Sequence, residues 1–380
     1  MHLLAEHNVV LWVNYHASRT PTASSSDLLY MARKLKQVAA GLKNPRPNLY
    51  VLTPLVVPLP SSASAKNLNR ILLIKQIRRA LRKVGQGPVQ FWTFTPDVGY
   101  LLSCFNEEAV VYYCVDDHSQ FTGYDVEQVL AEEEALCRQA DLVVTTSMAL
   151  QQAKAGFNAN TVMVPHGVDH AHFSQALTDE LREPDDIANI PHPRLGFFGL
   201  LRDWVDLDLV ADLARQRPEW HFVMVGDATF DLSTYQQLPN IHFLGRKPYA
   251  VLPAYCKAFD VGLIPFKIND LTLAVNPIKL REYLAAGLPV VSTPLPEVAL
   301  YDHWVEIAGD CQSFREGVER VLARSGDHGL PAQRSRAMAQ ETWQSKVDIL
   351  QQQLLQAMTG SESAERFATA HHREHSLRQN

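Results

Sequence analysis

The sequence predicts an α/β protein made of two doubly wound domains. Three observations carry this reading. The chain has 380 residues, more than one core usually organises, so about two domains are expected. Short β-branched runs alternate with helical patterns in two series, one on each side of an acidic, proline-punctuated stretch at 174–193. The stretch 276–293, NPIKLREYLAAGLPVVST, is a complete αβ unit. In it Asn276 is placed to cap a helix, Pro277 to open it and Gly287 to close it before Pro289, and Val290, Val291, Ser292 and Thr293 read as a short buried strand.

Residues 1–7 have the apolar pattern of a last helical turn and 9–13 read as a strand with none before it, so the expectation is a start lacking a first strand and most of a helix. Asp27 is placed to cap a helix over 28–39, and 48–57 supplies a strand closed by Pro58 and Pro60. Strands at 89–95 and 109–115 follow, the second apolar almost throughout and therefore central. A helix over Val126–Gln139, a strand at 142–146, a helix at 148–156 capped by Ser147, and a strand at 162–164 complete the first domain, 1–173. After the linker, 174–193, the second domain runs over 194–345 with six expected strands, among them Arg194–Phe198, His221–Val225, 241–244, 261–265 and the run after Gly287. A helix at 312–324 and another over 332–358 come last. The segment 346–380 is read as the end of that helix and a disordered tail, whose histidines lack the spacing of a metal site.

Nearly half of the residues are apolar and the net charge is −6, which gives no reason to expect a nucleic-acid partner. Five scattered cysteines read as reduced core thiols of a cytoplasmic protein. No apolar run reaches the length of a membrane span. Charge is nonetheless segregated: between Asp27 and Asp97 stand twelve Lys or Arg and no acid. Within 66–84, Lys75, Arg78, Arg79, Arg82 and Lys83 oppose Ile74, Ile77, Leu81 and Val84. Such a helix either lies on an anionic membrane or packs on its own sheet with a solvated basic face, and the two are compatible.

Two places carry chemistry. Lys279 and Glu282, three apart, share a face of the helix opened by Pro277, where the positive dipole end favours a phosphate and a carboxylate matches a ribose diol. A surface Lys–Glu pair accounts equally well for that spacing. Asp116, Asp117 and His118 follow the carboxyl end of the strand at 109–115, the edge where ligands of open sheets gather. Local capping by Asp117 is the other reading.

Four stretches together resemble one family, the GT-B-fold glycosyltransferases of family 4, or group 1. They are DLVVTTSMALQQAKAG with TVMVPHGVDHAHF; RLGFFGLLRDW; HFVMVGD through NIHFLGRKPYAVLPAYCKAFDVGLIPF; and NPIKLREYLAAGLPVVST. The resemblance covers the chain to about residue 345 and implies two Rossmann-like domains facing a cleft, with the second binding a nucleotide sugar. It implies donor contacts at Gly199, Arg202, Gly226, Arg246, Asn276, Pro277, Lys279 and Glu282, and catalytic roles across the cleft for Asp116, Asp117 and His118. The chain departs from the family at Ala274, where a second Glu is common, and at Arg202, which stands alone where Arg and Lys often bind diphosphate. Asp116 stands where many members have His, which makes the chain similar to a bacterial polysaccharide subgroup of the teichuronic-acid type. The implied activity is metal-independent transfer from a UDP- or GDP-sugar to a saccharide or polyprenyl-linked acceptor in cell-surface polysaccharide synthesis. It needs no cofactor and takes place in the cytoplasm or on the inner face of the plasma membrane. Other activities compatible with the same residues are a catalytically weak homologue that binds nucleotide sugar as an assembly subunit, and a sugar-nucleotide epimerase.

Overall fold

The computed structural model describes residues 1–15, 36–57, 63–85, 87–324 and 326–360. In the first domain, β1 (Val10–Val13), β2 (Lys43–Arg46) and β3 (Leu49–Leu52) form a sheet ordered β1-β3-β2. A second sheet holds β4 (Val89–Thr93), β5 (Glu107–Cys114), β6 (Leu142–Thr145) and β7 (Thr161–Met163), all parallel and in sequence order. Its central strand β5 is buried from Ala109 to Cys114, which is why it reads as an unbroken apolar run. The strand expected at 48–57 is shorter: Asn48 takes a left-handed φ of 58° and turns the chain between the antiparallel β2 and β3, and beyond Leu52 the Leu55 and Val57 backbones bond the Gln76 and Asn69 side chains rather than a strand. Of the helix expected at 28–39, residues 36–39 are helical and 28–35 lie outside the described residues.

The second domain has six parallel strands: β8 (Arg194–Phe198), β9 (His221–Val225), β10 (Ile241–Phe243), β11 (Val261–Ile264), β12 (Val290–Ser292) and β13 (Val305–Ile307). Their order is β10-β9-β8-β11-β12-β13, so the winding reverses between β8 and β11 and opens a crevice at their carboxyl ends. Six strands are expected and five of them placed; the sixth, β13, is too short and mixed in pattern for the sequence to have located it. The acidic stretch 174–193 is not a free tether: Ala176, Ile187 and Ile190 are buried in the core of the second domain.

The long helix expected over 332–358 is two helices, Leu330–Ala337 and Trp343–Gly360. The break is tertiary. Thr342 bridges Val168, the Val168 N–H donates to the Glu341 carbonyl at 2.8 Å, and the Thr342 hydroxyl accepts from the Ser345 N–H at 3.2 Å as the second helix begins. That helix then returns to the first domain, where Leu350, Leu354 and Ala357 share a core with Val111, Tyr113 and Val144. The boundary at 345/346 therefore falls inside a helix that belongs to both halves. The tail expected to be disordered, 361–380, lies outside the described residues.

Candidate active site

The helix that precedes β12 spans Ile278–Ala285, with Pro277 rather than Asn276 at the cap position and no side-chain cap. Asn276 is drawn elsewhere: its Nδ2 donates to Glu297 and its Oδ1 accepts from Arg281. The other end closes as the sequence implies, with Gly287 at φ 77° and the N–H groups of Gly287 and Leu288 donating to Leu284 and Tyr283. Among the described residues neither the Lys279 nor the Glu282 side chain makes a hydrogen bond or ion pair, so the reading of the two as a surface salt bridge does not hold. The Lys279 ammonium stands 5.5 Å from the centre of the Phe197 ring and is enclosed by protein, so burial lowers its pKa. Glu282 is buried, and burial raises its carboxyl to about 7 against the opposing pull of Lys279. A buried carboxylate and a half-buried ammonium, both unpaired, stand beside the helix N-terminus whose first N–H groups lack intrahelical acceptors.

Two glycines form the floor. Gly199, after β8, lies so close to Lys279 that a Cβ there would sit 2.3 Å from the lysine Cε; Gly226, after β9, would place a Cβ 1.8 Å from the Gly199 carbonyl oxygen. Only glycines let these two loops and the lysine meet. Arg202 is exposed and lies 5.4 Å from the Trp204 ring, and Arg246 is exposed beyond β10. A residue that the sequence reading passed over lies close by. Tyr249 stacks on His172 with ring centres 4.6 Å apart, and its phenol feels the charge of Glu282.

On the facing domain, Asp116, Asp117 and His118 leave the carboxyl end of β5 and divide in role. Asp117 caps the following turn, accepting from the Ser119 N–H at 3.1 Å and from its hydroxyl at 2.6 Å. His118 is buried, with Nε2 3.0 Å from the Phe94 carbonyl. Asp116 alone keeps its carboxylate without a partner among the described residues, and burial together with Asp117 raises its pKa against the pull of His118. The loop that starts here reaches the second domain: the Thr122 hydroxyl donates to Asp203 at 3.0 Å, next to Arg202. The structure thus brings the Asp116 loop and the loop after Gly199 together across the domain boundary.

Residues 192–324 match the family described as glycosyl transferases group 1. The chain is 28% identical over 280 residues, 66% of its length and 68% of the relative's, to TuaH of Bacillus subtilis (strain 168), which is named as a teichuronic acid biosynthesis glycosyltransferase. The protein is a glycosyltransferase, similar to group 1 over residues 192–324. Its GT-B fold is shared with sucrose-phosphate synthase from Thermosynechococcus elongatus, at a TM-score of 0.66 and 15% identity over 93% of this chain and 100% of that one. It is likewise shared with Anabaena Alr3699/HepE in complex with UDP and glucose, at 0.58 and 17% over 91% and 98%.

In this glycosyltransferase the segment before the donor-side helix is held by the other domain. The Ser147 hydroxyl donates to the Ala274 carbonyl at 2.6 Å, and Ala274 packs in the core of the first domain. Glu297 bonds the Met148 N–H with one oxygen and Asn276 with the other, both at 2.8 Å. Arg281 continues the chain of contacts to Tyr301 and Glu341. Arg281 and Glu297 carried no sequence signal, since their partners are distant in the chain. Among the described residues no group of three or more His, Cys, Asp or Glu is placed to hold a metal, and no helix is long and apolar enough to cross a membrane.

Proposed function

We propose that the glycosyltransferase moves a sugar from a UDP- or GDP-sugar to a saccharide or polyprenyl-linked acceptor in cell-surface polysaccharide synthesis. The observation that carries the donor assignment is the unpaired Lys279 and Glu282 at a helix N-terminus over the Gly199–Gly226 floor. In this reading Glu282 accepts from the ribose hydroxyls. Lys279 and the first N–H groups after Pro277 meet the diphosphate, and the exposed Arg202 and Arg246 add positive charge at the rim. The negative charge that builds on the leaving diphosphate is met by these fixed groups, so no metal is required. With its side chain engaged by Glu297 and Arg281, Asn276 shapes the approach to the helix rather than contacting the donor. The binding of UDP and glucose by Anabaena Alr3699/HepE supports a nucleotide-sugar donor, and the name of TuaH supports a polysaccharide product.

Asp116 is the acceptor-side group in this proposal, with Asp117 and His118 holding its loop. Taking the acceptor proton there gives inversion; orienting the acceptor alone leaves a retaining path. Thermal stabilisation by a panel of UDP-, GDP- and dTDP-sugars tests the donor, because a ligand of the folded state raises its apparent stability. A shift for one base and none for the others is the expected result, and no shift for any would refute the donor assignment. The anomeric configuration of the product decides the stereochemistry.

A further inference from the structure

The helix Ala63–Val84 packs on its sheet through Ala65, Asn69, Leu73, Ile77 and Ala80, leaving most of its other positions in solvent. One outer face is mixed in a directional way. Positions 68, 71, 72, 75, 79 and 82 recur at helical spacing, so Leu68, Ile71 and Leu72 precede Lys75, Arg79 and Arg82 on a single stripe. Ile71 is 64% exposed, Leu68 46% and Leu55, on the neighbouring segment, 48%. Asn69 and Gln76 tie the backbones of Val57 and Leu55 to this helix, so the apolar end lies beside the chain leaving the carboxyl end of β3. The carboxyl edges of the first domain's two sheets lie together there: Tyr15, beyond β1, bonds Tyr100, beyond β4, and His118, beyond β5, reaches Phe94. The edge is therefore the one at which Asp116 opens. Arg78 is not part of this surface, since its guanidinium donates twice to the Cys104 carbonyl.

We infer that this stripe seats the protein on an anionic phospholipid surface, with Leu68 and Ile71 entering the interface and Lys75, Arg79 and Arg82 on the lipid phosphates. Charge complementarity selects the partner: the stripe lies within a segment of twelve cations and no acid in a chain whose net charge is −6. The exposed aliphatic pair then favours a bilayer over a purely polar polyanion. Given the acceptor proposed above, this seating brings the cleft to the lipid that would carry it; the docking itself does not depend on that reading.

The test is co-sedimentation of the full chain with phosphatidylglycerol–phosphatidylcholine vesicles and with phosphatidylcholine vesicles, at low and high salt. Binding to the anionic vesicles alone, weakened by salt, is expected. Each surface cation contributes about fivefold, so Lys75→Gln/Arg79→Gln/Arg82→Gln should lower binding by roughly a hundredfold. Leu68→Ser/Ile71→Ser should lower it with the salt dependence unchanged, and both variants should keep the wild-type melting temperature. Equal binding by the variants overturns the inference, as does retention on a heparin column without vesicle binding. Nucleotide binding is measured in parallel: its loss with vesicle binding intact counts against the donor site only, and the converse against the membrane surface only.

Discussion

Lys279 and Glu282 share a helix face without pairing, and each is therefore left to answer to a ligand. Glu282 gives the sharper test. Its carboxyl is raised from an ordinary 4.5 to about 7 by burial, so the folded protein prefers it protonated. That preference stabilises the unliganded fold fully below about pH 4.5 and is lost as pH rises through 7. Glu282→Gln removes the titration. At pH 8 the unliganded variant should be more stable than wild type by up to about 3 kcal/mol, an advantage that vanishes at pH 4.5. The same variant should bind the nucleoside diphosphate about tenfold to a hundredfold more weakly at pH 8, because it loses charge-assisted bonds of roughly 1.5–3 kcal/mol. Stability gained and affinity lost together mark a binding residue. Urea titration and calorimetry at the two pH values read both, and a variant less stable than wild type with unchanged affinity would return Glu282 to a structural role. Lys279→Met should weaken the diphosphate more than the free nucleoside, measured by the same calorimetry.

Elements whose ends are set by neighbours in sequence were legible. Asp125, Ser147, Asp206 and Asp310 each accept from an N–H three residues on, and the Gly287 closure follows from local chemistry. The donor-side helix, the alternation of strands and helices in the second domain and the Asp116 loop were accordingly readable. The failures around the donor-side helix and the final helix share one cause, a distant competitor. Asn276–Pro277 has the form of a cap and first turn, but Glu297 and Arg281 claim the amide; the break at 338–342 contains no Gly or Pro, because Val168 enforces it. Ala274, where the resemblance implies a Glu, packs in the opposite domain's core. Glu297 joins the helix Met148–Ala155 of one domain to the residue preceding the donor-side helix of the other. Glu297→Ala should therefore widen the cleft and disorder the donor side together. Small-angle scattering of the unliganded variant should show a larger radius of gyration, and kcat/KM for the donor should fall at least tenfold. A lower melting temperature with unchanged scattering and kinetics would make the contact merely structural.

At the scale of the whole molecule, the chain crosses between domains at 166–168 and again at 341–343, and the two crossings pair with each other. Gly167 is needed there, because a Cβ would stand 2.6 Å from the Trp343 nitrogen. The domains are joined through one double strand of chain rather than a loose tether, consistent with 174–193 being packed down. The consequence is an unequal dependence. The second domain builds its core from its own strands, whereas the first borrows Leu350, Leu354 and Ala357 from the final helix. Leu354→Ala, which opens a cavity where Leu354 packs with Val111, Tyr113 and Val144, should cost the first domain about 2–5 kcal/mol. Nucleotide binding should be unaffected, since Lys279, Glu282 and the glycine floor all lie in the other domain. Calorimetric melting should resolve this as a transition that moves to lower temperature and another, raised by nucleotide, that does not. If both transitions fall together in the presence of nucleotide, the two domains unfold as one unit and the final helix serves both equally.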